Sequence, residues 1–147
     1  MRLLYLCTGN SARSIMAEAI TRSMLPPGAP IEVYSAGTGP KGIHPETETV
    51  LKEAGVATEG LRSKGIDQVP FDSIDMVVTL CGDARDACPA PPSGARRIHW
   101  GLRDPAGFAG DPAQVREAFR AVRDEVRTCV KRLMFELAMD PALRRER

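Results

Sequence analysis

Leu3-Leu4-Tyr5-Leu6-Cys7-Thr8-Gly9-Asn10-Ser11-Ala12-Arg13-Ser14-Ile15-Met16 is the stretch on which the fold turns. Its apolar start, Leu3–Leu6, reads as a short buried strand, and Thr8–Ala12 as a loop of small residues. Ile15, Met16, Ala19, Ile20 and Met24 then recur with helical spacing. A thiol therefore leaves a strand, and an arginine follows it six positions later where a helix begins. Gly9, Ser11 and Ala12 let successive backbone N–H groups point at one centre, as phosphate-cradling loops require. The positive N-terminal end of the helix aims at the same point. Arg13 can hold two oxygens of a tetrahedral dianion at once, which a lysine cannot. Cys7 is thus the candidate nucleophile, held as a thiolate at neutral pH by this positive field. Thr8, Gly9, Asn10, Ser11, Ala12, Arg13 and Ser14 form the candidate oxyanion cradle. The Ser14 hydroxyl either donates to the Cys7 thiolate or caps the first turn of the helix. The plainer alternative is a buried thiol behind an ordinary strand–helix turn, with Arg13 solvated; the strand–loop–helix setting weighs against it.

Working outward, Ile31–Ser35, Met76–Leu80 and Arg97–Trp100 read as three further strands. Pro45 to Ala54 has helical period, with Val50, Leu51 and Ala54 in phase. Strands alternating with helices predict an α/β protein: a four-stranded parallel sheet with helices on both faces. The last third reads as one long helix. Asp111-Pro112 supplies its N-cap and a proline at its first position. Val115, Phe119, Val122, Val126, Val130, Leu133 and Leu137 keep its apolar stripe, and Asp140-Pro141 ends it. Residues 1–139 form one domain on this reading, and 140–147 a frayed C-terminal tail.

Composition narrows the function classes. At 147 residues the chain buries a real core without staples. A formal charge of +1 argues neither for nor against an anionic polymer partner, but 5% aromatic residues with no basic–aromatic interleaving argue against a base-stacking surface, so no nucleic-acid partner is expected. The N-terminal apolar run is too short for a signal peptide or a membrane span, so the expectation is a cytoplasmic protein without a membrane partner. Near-neutral charge and modest hydrophobicity favour a monomer. Four cysteines in that compartment point to metal or redox chemistry, or to core thiols.

Topology turns these local signals into a site. Strands of an open parallel sheet end at one edge, and ligands bind there. Cys7 follows the first strand, Cys81 the third, and Asp104 the fourth, within Gly101-Leu102-Arg103-Asp104-Pro105-Ala106-Gly107. A carboxyl group at that rim can protonate the oxygen that leaves when a thiolate attacks an oxyanion; the plainer reading of Asp104-Pro105 is the start of a turn. Cys81 and Cys88 bracket Gly82-Asp83-Ala84-Arg85-Asp86-Ala87, and a Pro/Gly-rich stretch follows. Their spacing fits neither a Cys-x-x-Cys redox pair nor a zinc ribbon, and Arg13 would repel a cation near Cys7. No metal and no organic cofactor is expected. The loop is too polar for two inert core thiols, which leaves redox chemistry. Cys129 lies on the apolar side of the long helix and reads as packing. His44-Pro45 reads as a helix start and His99 as strand, not as acid–base groups.

Several blocks carry a family resemblance. Cys7 to Glu18, Tyr34-Ser35-Ala36-Gly37-Thr38, Val77-Val78-Thr79-Leu80-Cys81, Cys88-Pro89 and His99 to Gly107 are similar to the thioredoxin-coupled arsenate reductases. These share the three-layer, flavodoxin-like sandwich of the low-molecular-weight tyrosine phosphatases. The first block fits both groups; the Cys81/Cys88 pair and the Asp-Pro-Ala-Gly form of the acid loop fit the reductases. The resemblance implies a relay. Cys7 attacks arsenate held by the loop and Arg13, while Asp104 protonates the leaving oxygen. Cys81 then attacks Cys7 and releases arsenite, Cys88 attacks Cys81, and thioredoxin reduces the resulting Cys81–Cys88 disulfide. Phosphate and sulfate would bind as mimics, and weak phosphatase activity would accompany the fold. Some members bind potassium through residues matching Asn10, Glu18, Ser35 and an acidic side chain; Lys64 stands in the fourth place here and implies no potassium activation. Two rivals are a phosphatase acting on tyrosine phosphate or small phosphomonoesters, and a redox sensor switched by Cys81–Cys88.

Overall fold

The computed structural model describes residues 1–81 and 94–140. Cys88, most of the Pro/Gly-rich stretch around it and residues 141–147 lie outside the described residues.

Four strands form one parallel sheet in the order β2-β1-β3-β4: β1 Arg2–Cys7, β2 Glu32–Gly37, β3 Met76–Cys81 and β4 Arg96–Leu102. β1, β3 and β4 contain their expected strands and extend them by one or two residues at one or both ends, while β2 starts one residue later than expected, at Glu32, and runs two further, to Gly37. The two central strands, β1 and β3, have no exposed residue, as apolar runs covered on both faces require. Among the described residues three α-helices accompany the sheet: α1 Arg13–Met24, α2 Pro45–Glu53 and α3 Pro112–Met139.

The larger core lies on one face of the sheet. Leu3, Tyr5, Val33, Met76, Val78 and Leu80 meet Met16, Ala19 and Ile20 of α1 and the stripe Phe119, Val122, Val126, Val130, Leu133 and Leu137 of α3. Val115, expected in that stripe, is only partly buried at the first turn. Val50 and Leu51 of α2 join the same core at its end. On the other face Leu4, Leu6, Ala36, Ile74 and Val77 make a smaller cluster. Two short 3-10 turns, Ile66–Gln68 and Phe71–Ser73, cover it through Ile66, Val69 and Phe71. Helical segments therefore lie on both faces, with a thin second layer. Proline at position 70 breaks what a longer helix would need there.

Caps appear where the sequence supplies them. Asp111 accepts from Gln114 N at 2.9 Å, while the Gln114 side chain accepts from Asp111 N, a capping box at the head of α3. Helix α2 is clamped to α3 by Arg116 on Glu46 and by Arg120 and Arg123 on Glu53. No helix of the described residues is long and apolar enough to cross a membrane.

Candidate active site

The loop after β1 is held from outside by its carbonyls. Thr38 N donates to Cys7 O at 3.3 Å, Gly39 N to Thr8 O at 2.9 Å, Lys41 N to Gly9 O at 3.0 Å and His44 N to Ser11 O at 3.2 Å. Ser63 Oγ donates to Gly9 O at 3.3 Å and Thr47 Oγ1 to Ser11 O at 2.8 Å. In a trans peptide the C=O and the following N–H point opposite ways. Outward carbonyls on Cys7, Thr8, Gly9 and Ser11 therefore turn the N–H groups of Thr8, Gly9, Asn10 and Ala12 toward the inside of the loop. Helix α1 begins at Arg13 behind Ala12, which has no side-chain cap, so a side chain does not occupy the positive end of this helix.

Asn10 is the strut of this loop rather than one of its ligand-facing side chains. It is buried with φ +43°, a left-handed conformation that asparagine tolerates better than most residues. Its Nδ2 donates to Ser14 Oγ at 2.7 Å and to Ser35 Oγ at 3.0 Å, and its Oδ1 accepts from Lys64 N at 2.9 Å. Ser14 Oγ in turn lies 2.8 Å from Cys7 Sγ. Asn10 Nδ2 can only donate, so Ser14 Oγ accepts there, and the serine proton donates to the sulfur when Cys7 is a thiolate. Of the two roles expected for Ser14, contact with the thiol is the one the geometry shows.

Arg13 is buried, not solvated. Its Nη1 donates to Leu80 O and Leu102 O, both at 3.1 Å, and so ties together the ends of β3 and β4. Its Nη2 lies 3.7 Å from Asp104 Oδ2. The other oxygen of Asp104 accepts from Ala106 N at 3.0 Å, capping the 3-10 turn Pro105–Gly107. Asp104 thus starts a turn, as the plainer reading held, and still presents a half-exposed carboxyl to Arg13.

Cys7, Cys81 and Asp104 reach the same rim. Leu6 pairs with Thr79 across β1 and β3, so Cys7 stands opposite Leu80 and Cys81 is one residue further along. Strand spacing and rise put the Cα atoms of Cys7 and Cys81 about 6 Å apart, inside the span a disulfide bridges. Alternation gives Leu80, not Cys81, the face that Cys7 shares. Cys7 and Cys129 are free thiols, whereas Cys81 is disulfide-bonded. Cys129 flanks the α3 stripe half-buried, and burial pushes its thiol up, away from reactivity.

Behind the loop, Lys64 Nζ donates to Glu18 Oε1 at 3.2 Å, Ser35 Oγ at 3.2 Å and Arg62 O at 3.0 Å. Ser35 Oγ also donates to Glu18 Oε1, and Arg22 Nη1 lies 2.6 Å from Glu18 Oε2. The ammonium thus bonds Glu18 and Ser35, while Asn10 accepts from the Lys64 backbone N–H. Among the described residues no cluster of three or more His, Cys, Asp or Glu could hold a metal ion. His44 caps α2 through Nδ1 and stacks on Phe119 with ring centroids 4.6 Å apart, and His99 lies in β4 with Nδ1 2.7 Å from Thr79 Oγ1.

Sequence reading missed the outer wall of the loop: Gly37, Thr38, Gly39, Lys41, Thr47 and Ser63. Gly37 is the sharpest omission. A Cβ there would stand 2.5 Å from Thr8 O and 2.8 Å from Asn10 N, backbone atoms that cannot yield. The available signal was its place at the end of β2, on the rim shared with Cys7, its partner in register.

The sequence model for low molecular weight phosphotyrosine protein phosphatases matches residues 2–144. The chain belongs to this family. Among relatives, the arsenate reductase of Halalkalibacterium halodurans is 43% identical over 129 residues, covering 88% of this chain and 91% of that one. A solved arsenate reductase in the phosphate binding state superposes with a TM-score of 0.75 at 29% identity, over 92% of this chain and 97% of that one. The thioredoxin-dependent arsenate reductase of Corynebacterium glutamicum superposes with a TM-score of 0.62 at 28% identity, over 92% of this chain and 62% of that one. The family fold thus agrees with the four-stranded parallel sheet described above.

Proposed function

We propose that this family member is a cytoplasmic, monomeric arsenate reductase that works through Cys7, Cys81 and Cys88 and is regenerated by thioredoxin. The observation that carries the reading is the second thiol on the neighbouring strand of the same rim, one residue past the position opposite Cys7. A hydrolase needs one nucleophile here; a reductase needs another sulfur within reach of it.

Arsenate enters the amide-lined loop, and the Cys7 thiolate attacks arsenic. Asp104 gives its proton to the leaving oxygen, which departs as water and leaves an S–As bond. Ser14 and the head of α1 stabilise the anionic sulfur before attack. Cys81 then attacks Cys7 Sγ. The S–S bond forms as the S–As bond breaks, and its electron pair stays on arsenic, which leaves as arsenite. Cys88 attacks Cys81 and frees Cys7 as a thiolate, so the two electrons given to arsenic are balanced by one Cys81–Cys88 disulfide. Thioredoxin, a dithiol, returns those electrons. Cys81 must turn at the strand end to meet Cys7, since the two side chains leave the sheet on opposite faces.

The reading is tested with Cys81→Ser in two assays: arsenate turnover coupled to thioredoxin, and hydrolysis of a small aryl phosphate. Loss of the first with retention of the second supports the relay. Arsenate turnover that survives the substitution contradicts it, and leaves an ester-cleaving enzyme as the better account.

A further inference from the structure

We infer that Lys41 recruits the tetrahedral dianion to the mouth of the loop, a role that rests on the anion chemistry proposed above. Lys41 follows β2 in Gly39-Pro40-Lys41-Gly42, a stretch with no assigned part in the reaction. Its backbone is pinned at both sides of the residue. Lys41 N donates to Gly9 O at 3.0 Å, and Gly42 N donates to Ser63 Oγ at 3.1 Å, whose hydroxyl reaches the same Gly9 O at 3.3 Å. Held this way, the aliphatic stem lies across Gly9. A Cβ built on Gly9 would stand 3.4 Å from Lys41 Cδ and 3.6 Å from Cγ. Gly9 is one of the residues whose N–H turns inward, so the lysine stem is anchored against the cradle itself.

The charge at the end of that stem is uncommitted. Lys41 is exposed, and among the described residues its ammonium makes no hydrogen bond or ion pair. Three other cations around the site are engaged: Arg13 with strand-end carbonyls and Asp104, Lys64 with Glu18, and Arg116 with Glu46. A flexible, hydrated point charge is suited to raising the local concentration of an anion, and ill suited to clamping a transition state. Lys41 therefore acts on encounter and binding, favouring a dianion over a monoanion of the same shape, and leaves the chemical step to Cys7, Arg13 and Asp104.

The test compares Lys41→Met and Lys41→Arg with Lys131→Met, which removes the same charge from the exposed side of α3. Two readouts are used: KM and kcat for arsenate, and protection of Cys7 from iodoacetamide by inorganic phosphate, which needs no turnover. At low salt Lys41→Met should raise both KM and the phosphate concentration for half-protection by about fivefold, with the difference shrinking in ~0.5 M salt. Lys41→Arg should restore most of the loss, and Lys131→Met should match the wild type. The inference is overturned if Lys41→Met binds phosphate like the wild type, if Lys131→Met shows the same shift, or if the effect falls on kcat alone. A wild type that turns over no arsenate, with phosphate protection still weakened by Lys41→Met, sinks the reductase reading and keeps this one.

Discussion

Ser14 Oγ stands 2.8 Å from Cys7 Sγ and also accepts from the Asn10 amide, which leaves the serine proton able to donate to a Cys7 thiolate. A hydrogen bond to a charged group contributes about 1.5–3 kcal/mol. Ser14→Ala should therefore slow alkylation of Cys7 by iodoacetamide at pH 7 about tenfold, and slow arsenate turnover by a similar factor. Unchanged alkylation with unchanged turnover would show that the contact does nothing for the thiolate.

Asn10 leads from that sulfur to Lys64. Potassium and sodium at equal ionic strength should support the same rate, because the ammonium sits where a cation would meet Glu18 and Ser35. A marked rise with potassium would refute this. Lys64→Met leaves Glu18 buried with Arg22 as its charged partner, and by denaturant titration it should cost about 3 kcal/mol of stability.

Gly37 sits against the backbone of the loop. Gly37→Ala would drive a methyl group into Thr8 O and Asn10 N, so at least one outward carbonyl contact must break. Phosphate protection of Cys7 should be lost even if circular dichroism still reports a folded sheet. Wild-type protection in a folded Gly37→Ala protein would mean that the loop does not depend on this close approach.

Acid should loosen the clamp between α2 and α3. Hydrogen bonding from Arg120, with Arg123 behind it, lowers Glu53 from 4.5 to about 2, and Arg116 lowers Glu46 in the same direction. A carboxylate with a depressed folded-state value stabilises above its unfolded value and loses that contribution as pH falls through the folded one. The gap in melting temperature between wild type and Glu53→Gln should be full at pH 6, narrow below pH 4.5 and close near pH 2. Salt should shrink it at every pH, since the pairs are exposed. A gap that grows toward acid would reverse the assigned sign.

Much of this was legible because period and spacing survive in the sequence. The β1–loop–α1 unit, the α3 stripe and the arrival of Cys7, Cys81 and Asp104 at one rim follow from patterns of apolar and small residues. The outer wall of the loop did not show. Thr38, Gly39, Lys41 and His44 contribute backbone N–H groups, which carry no side-chain signature. Arg13 showed only half its work, because its bonds to Leu80 O and Leu102 O join strands distant in the chain. The second layer, expected as helix, is built largely from two 3-10 turns whose few residues are too short for a period to appear. The direction in which Cys81 leaves β3 depends on register, which only pairing with β1 reveals.

Electron flow through three sulfurs is tested most directly by Cys88→Ser in a coupled assay of NADPH, thioredoxin reductase, thioredoxin and arsenate. The account predicts about one arsenite per protein followed by a stall, with Cys7 and Cys81 joined, because a buried first disulfide is a poor target for thioredoxin. Sustained turnover by Cys88→Ser would contradict it.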